Sequence, residues 1–127
     1  MEWGRNLLLV GFGGFLGSMA RYGVGLIFSK YFSQNFPYGT FSVNILGCLL
    51  MGFFYGVFEK NLELNLAWKL FLMVGICGGF TTFSSFSLEN LNLLQNSNYT
   101  GFFLYSVGSF VLGLLAVWIG LTLTKLI

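Results

Sequence analysis

Three stretches of this chain, 39–58, 70–88 and 101–124, contain no charged residue at all. A helix needs roughly 20 mainly apolar residues to cross the hydrocarbon of a bilayer, and each stretch is about that long. A fourth run, 6–28, is interrupted only by Arg21. Charged residues make up 8% of the chain and mean hydropathy is +0.80, whereas about a quarter of a soluble domain is charged. The sequence therefore predicts an all-α integral membrane protein of four transmembrane helices in the lipid bilayer. The connections at 33–38, 59–65 and 95–100 are short and carry Pro37, three charges, or Asn and Ser. Residues 1–127 thus read as a single four-helix transmembrane domain, with no room for a soluble one.

The first run could also be read as a cleaved leader, with an apolar core at 7–16 followed by Ser18-Met19-Ala20. Glu2, the glycines at 11, 13, 14 and 17, and the resumption of apolar residues beyond Arg21 favour a retained span. Four spans put both termini on one side, together with Arg5, Lys60, Lys69 and Lys125. Lys30 lies on the other side, with Arg21 near it. The excess of basic residues favours termini on the cytoplasmic side.

Lipid tails are as apolar as leucine, so membrane helices associate through close backbone packing and a few hydrogen bonds. The glycine pairs Gly13 and Gly17, Gly52 and Gly56, and Gly75 and Gly79 have the four-residue spacing that this needs. Gly78 and Gly79 have a further consequence. Followed by Phe80, Thr81 and Thr82 in mid-span, they weaken the helix. The third helix is expected to break near its centre, the alternative being an unbroken helix with flexible packing. Carbonyls freed by a break need partners inside the protein or an ion, because lipid offers none.

Polar groups on three spans fall at helical spacing. Thr40 and Asn44 are four residues apart on the second span, and Tyr105 and Ser109 repeat the interval on the fourth. Beyond the expected break, Phe83 and Phe86 share a face, with Ser84, Ser85 and Ser87 beside them. Aromatic rings carry a positive edge, which favours an anion without trapping it. Packing against lipid and glue between helices are the plainer uses of such residues. Arg21 is the one clear cation within a span. The chain has no His and no Asp, and Glu89 sits near a span end. A proton-coupled carrier or cation pore normally needs an acidic group, so these helices look arranged for an anion. No pairing of nucleophile and base, metal-ligand cluster or phosphate loop suggests an enzyme, and nothing suggests a nucleic-acid partner. Cys48 and Cys77 read as small packing residues.

Three segments in order, in a four-span chain of this size, resemble the Fluc (CrcB) fluoride channel family. They are Gly13-Gly14-Phe15-Leu16-Gly17-Ser18-Met19-Ala20-Arg21-Tyr22, Gly39-Thr40-Phe41-Ser42-Val43-Asn44-Ile45-Leu46-Gly47, and Gly75-Ile76-Cys77-Gly78-Gly79-Phe80-Thr81-Thr82-Phe83-Ser84-Ser85-Phe86. The resemblance implies an antiparallel, dual-topology homodimer in the cell membrane, with two fluoride pores built from both subunits. It also implies passive export that lowers cytoplasmic fluoride. By motif, Phe83 and Phe86 match the paired pore phenylalanines and Asn44 the amide that helps coordinate fluoride. Tyr105, Ser109, Ser84, Ser85 and Thr40 would form a line of pore hydroxyls, and Arg21 matches a vestibule arginine. One structural sodium ion at the dimer centre would be bound by the backbone carbonyls of Gly78 and Thr81. Ser85 stands where the family usually has Thr, which keeps the hydroxyl and loses a methyl group. The competing readings are a small drug/proton antiporter, which should carry an acidic residue in the first span where this chain has Arg21, and a structural membrane assembly protein.

Overall fold

The computed structural model describes residues 2–127. Helix α1 runs Glu2–Tyr31 and α2 runs Tyr38–Lys60. The third span is composite: α3 (Leu66–Lys69), a π-helical stretch (Leu70–Cys77), α4 (Gly78–Phe80) and, after a break, α5 (Phe83–Gln95). Helix α6, Tyr99–Leu123, completes the fold. Four helical segments, Glu2–Tyr31, Tyr38–Lys60, Leu66–Gln95 and Tyr99–Leu123, are long and apolar enough to cross a membrane. The first begins earlier and ends later than the apolar run at 6–28, because Glu2, Arg5 and Lys30 continue the helix beyond its apolar part.

Helix α2 packs chiefly on α6, while α1 packs on the π stretch and α4. Glycines set both contacts. A Cβ on Gly75 would lie 2.8 Å from Gly13 Cα, and one on Gly79 would lie 2.5 Å from Gly14 O, so the two backbones touch directly. Gly52 meets the backbone of Val117 in the same way, and Gly120 that of Leu49. Close backbone approach is how helices gain contact where no hydrophobic force drives them together. Most large apolar side chains consequently point outwards, and the fully buried ones are few: Tyr105, Val43 and Cys77 among them.

The sequence reading anticipated a break in the third span but not the π-helical stretch before it. Its wider turns are rare in any protein. Here they lie against the glycine face of α1, and Gly78 N–H reaches back to Met73 O as the stretch ends. The break itself falls at Thr81 and Thr82, both extended (φ −84°, ψ 156° and φ −150°, ψ 118°).

Side chains close the helix ends. Asn98 Oδ1 accepts from Gly101 N–H at 3.0 Å to start α6. At the far end, the Lys60 ammonium donates to the carbonyl of Thr124, a cation where the helix dipole is negative. Helix α5 ends in a Schellman motif: Asn98 N–H reaches Leu93 O at 2.8 Å and Ser97 N–H reaches Leu94 O at 3.0 Å. This leaves Ser97 with φ 56°, the left-handed region. Replacing Ser97 by Gly removes the Cβ penalty there and is expected to raise stability by roughly 0.5–1 kcal/mol. Thermal or denaturant unfolding in detergent will read the difference, and no gain would mean that the serine is held there without strain.

Candidate functional site

The break is built by side chains. Thr82 lies in it and is buried. In a continuous helix its N–H would donate to Gly78 O. Instead it donates to Asn44 Oδ1 at 2.8 Å, and Asn44 Nδ2 donates to Thr82 O at 3.1 Å. One amide side chain thus satisfies both polar groups of a residue that helix geometry has abandoned. Thr82 Oγ1 then caps α5 by accepting from Ser85 N–H at 3.2 Å. The Ser85 amide would otherwise have served Thr81 O. Both amides that helix geometry assigns to the carbonyls of Gly78 and Thr81 are therefore engaged elsewhere. Thr81 Oγ1 turns back to Cys77 O at 2.9 Å, away from this opening.

Against the break lies a cavity of about 380 Å³ lined by Asn44, Thr82, Phe83, Phe86, Ser106 and Ser109, with Thr81 and apolar neighbours. None of its lining residues is charged. The Phe83 and Phe86 rings are tilted by 36° with centroids 5.8 Å apart, and Phe86 meets Tyr105 edge-on at 5.0 Å. Phe83 is 79% exposed. One donor faces this space. Asn44 keeps its second N–H, since an amide carries two and Thr82 takes one. Ser109 Oγ is buried with no hydrogen-bond partner among the described residues.

A larger cavity of about 660 Å³ lies at the end of the bundle where α1 passes to α2, lined by Gln34, Asn35, Thr40, Glu89, Asn92 and Asn96 among others. Glu89 is the residue that sequence reasoning passed over. Its Oε1 accepts from Thr40 Oγ1 at 2.5 Å and its Oε2 from Tyr105 OH at 2.8 Å, tying α5 to α2 and α6. Hydrogen bonds to a carboxylate are among the stronger ones. The available signal was the helix face shared by Phe86, Glu89 and Asn90, three and four residues apart.

The predicted polar line therefore separates into groups. Asn44, Phe83, Phe86 and Ser109 meet in the smaller cavity. Thr40 lines the larger one with Glu89, while Tyr105 lines neither and both hydroxyls are committed to the carboxylate. Ser84 and Ser85 are not among the residues lining either cavity; Ser84 Oγ lies 3.3 Å from Thr82 Oγ1. Arg21 also lines neither, and its Nε is buried without a hydrogen-bond partner among the described residues. Gly78 is exposed beside the break, and a Cβ added there would meet only Met73 O, at 3.9 Å. Among the described residues no group of His, Cys, Asp and Glu could hold a metal ion. Carbonyl oxygens, the ligands suited to hard cations, are what the break offers.

Comparison with known proteins identifies the family. The family model described as "CrcB-like protein, Camphor Resistance (CrcB)" matches residues 8–121. A protein of Flavobacterium psychrophilum named "Fluoride-specific ion channel FluC" is 46% identical over 121 residues, covering 95% of this chain and 98% of its own. One of the same name from Phocaeicola vulgatus is 46% identical over 121 residues, 95% of this chain and 99% of its own. Another, from Nitrobacter winogradskyi, is 42% identical over the full length of both chains. With its four membrane-crossing helices and this match across nearly all of its length, the chain is a multi-pass membrane protein that belongs to the CrcB family.

Proposed function

We propose that this protein is a fluoride-selective channel of the cell membrane rather than an enzyme, and that it works as an antiparallel homodimer with two pores. The observation that carries the reading is the uncharged cavity at the helix break, where a spare amide N–H of Asn44 lies in the same space as two phenylalanine rings. Fluoride is small and strongly hydrated. A narrow path of modest donors and positive ring edges offsets its lost water without holding it, and several weak sites conduct better than one deep one. Passive flow driven by a negative interior would expel fluoride that entered as the neutral acid.

Assembly of two copies is supported by what one copy leaves uncovered. Phe83 is 79% exposed although it lines the cavity, so the cavity lacks a wall on that side. Gly78 is uncovered beside it. A second copy in the opposite orientation would supply the missing wall. It would also bring a second set of Gly78 and Thr81 carbonyls close to the first. Sodium fits this donor set: when bound, it would supply positive charge to carbonyls whose usual helical donors are engaged elsewhere, and so hold the two breaks together. Arg21, the one cation within a span, is proposed to draw anions towards the entrance. In the larger cavity, Thr40 and Glu89, with Tyr105 bonded to the carboxylate from outside it, would guide water and ion towards the rings.

Purified protein in liposomes should release fluoride rapidly, read with an ion-selective electrode, and retain chloride. No fluoride release from a folded dimer would end the channel reading. Phe83→Ile and Phe86→Ile are each expected to slow fluoride release by at least tenfold, the scale set by losing about 1.4 kcal/mol of ring-edge interaction in the path. The dimer should still elute normally on gel filtration. Wild-type flux in both variants would remove the rings from the mechanism.

A further inference from the structure

Two serines of α6, Ser106 and Ser109, line the smaller cavity, yet their hydroxyls are placed differently. The difference comes from Asn90, which is only 7% exposed and lies behind the cavity wall. Asn90 Nδ2 donates to Phe86 O at 3.0 Å. A carbonyl oxygen can only accept, so this bond fixes which end of the amide is nitrogen. The other end, Asn90 Oδ1, lies 2.9 Å from Ser106 Oγ. An amide oxygen also can only accept, so the proton between them must be the serine's. A serine hydroxyl has a single proton. Ser106 therefore turns lone pairs, not a donor, towards the cavity. Ser109 Oγ has no partner among the described residues, but it is buried and out of reach of the cavity.

We infer that Asn90 is a positioning residue for anion passage: by holding the Ser106 proton it keeps that hydroxyl from donating to the ion, leaving Asn44 as the cavity's donor. The inference rests on the channel reading above. Its physical sense is the balance that conduction needs, since binding must be strong enough for entry and weak enough for exit. A further donor in this cavity would deepen the site and slow release. The same amide also fixes the carbonyl of Phe86, so the ring and the hydroxyl beside it are set by one buried group.

The test uses reconstituted full-length protein carrying Asn90→Ala, Ser106→Ala, or both, with fluoride as the probe. Asn90→Ala frees the Ser106 proton and is expected to slow fluoride release about tenfold, as one added hydrogen bond to the ion would. Apparent fluoride affinity should rise in the same variant. The double variant is expected to conduct as Ser106→Ala alone does, because the loss is routed through that hydroxyl. Unchanged flux in Asn90→Ala would overturn the inference, as would an equal loss on the Ser106→Ala background, which would assign Asn90 to packing or to Phe86. A second measurement needs no variant. In wild-type protein, fluorine–proton NMR should show no coupling between bound fluoride and the Ser106 hydroxyl, and such coupling would refute the assignment. Failure of the channel reading is separately visible, as wild-type protein that releases no fluoride.

Discussion

Asn44→Leu is expected to destabilise the protein by about 2–6 kcal/mol and to bring fluoride release to the level of empty liposomes. The stability loss follows from the two groups that Asn44 alone satisfies, the N–H and C=O of buried Thr82. A buried polar group left without a partner costs about 1–3 kcal/mol. Within a membrane no solvent replaces the lost bond. The flux loss has a second origin, because the substitution also removes the spare N–H that faces the cavity. Asn44→Asp separates the two. Its carboxylate can still accept from Thr82 N–H, but it sets negative charge against Thr82 O and inside an anion's path. Asn44→Asp should therefore stay nearer to wild type than Asn44→Leu in thermal unfolding while conducting no better. A folded Asn44→Leu protein with wild-type Tm and flux would show that neither role is real.

Gly75→Leu is expected to prevent a folded protein from accumulating. The Cβ alone would lie 2.8 Å from Gly13 Cα and 3.1 Å from Val10 O, both backbone atoms that cannot rotate aside. Relief requires α1 to move away from the third span, which also breaks the neighbouring approach of Gly79 to Gly14. Overpacking in a rigid core costs about 1–3 kcal/mol, and loss of the whole interface exceeds that. Gly11→Leu is the matched control. It lies on α1, two residues from Gly13, with nothing within 4 Å of its Cβ position, and should give a normal gel-filtration peak. A monodisperse Gly75→Leu protein would mean that the two helices are not in backbone contact.

The hydrogen bonds of Asn44 also explain the limits of reading this chain from its residues. Helical spacing puts Thr40 with Asn44, and Tyr105 with Ser109, on common faces, and both pairs read as one polar line. Tertiary structure divides each pair. Thr40 and Tyr105 give their protons to Glu89, which comes from a different helix, whereas Asn44 and Ser109 line the smaller cavity. Spacing along one helix cannot reveal this, because a donor's partner depends on which helices are neighbours. Glu89 looked peripheral for the same reason. Its place in the chain is near the end of a span, but its carboxylate is bonded to both α2 and α6.

What the residues determined without help from the fold was the solvent and the segmentation. Charge-free runs of membrane-crossing length leave a chain little choice in lipid, where every backbone polar group must be paired within its own span or by a side chain. The break was legible too, since two glycines and two threonines make a poor helix centre, and the four-residue glycine pairs announced which faces would touch. The π-helical stretch was not legible, because it has no composition of its own and adjusts a span to the helix packed against it. Nor were the states of individual protons. Ser106 and Ser109 are the same residue type on the same helix, and only the buried amide of Asn90 makes one an acceptor towards the cavity, while the other is left without a partner among the described residues. That distinction belongs to contacts between helices, which no single helix encodes.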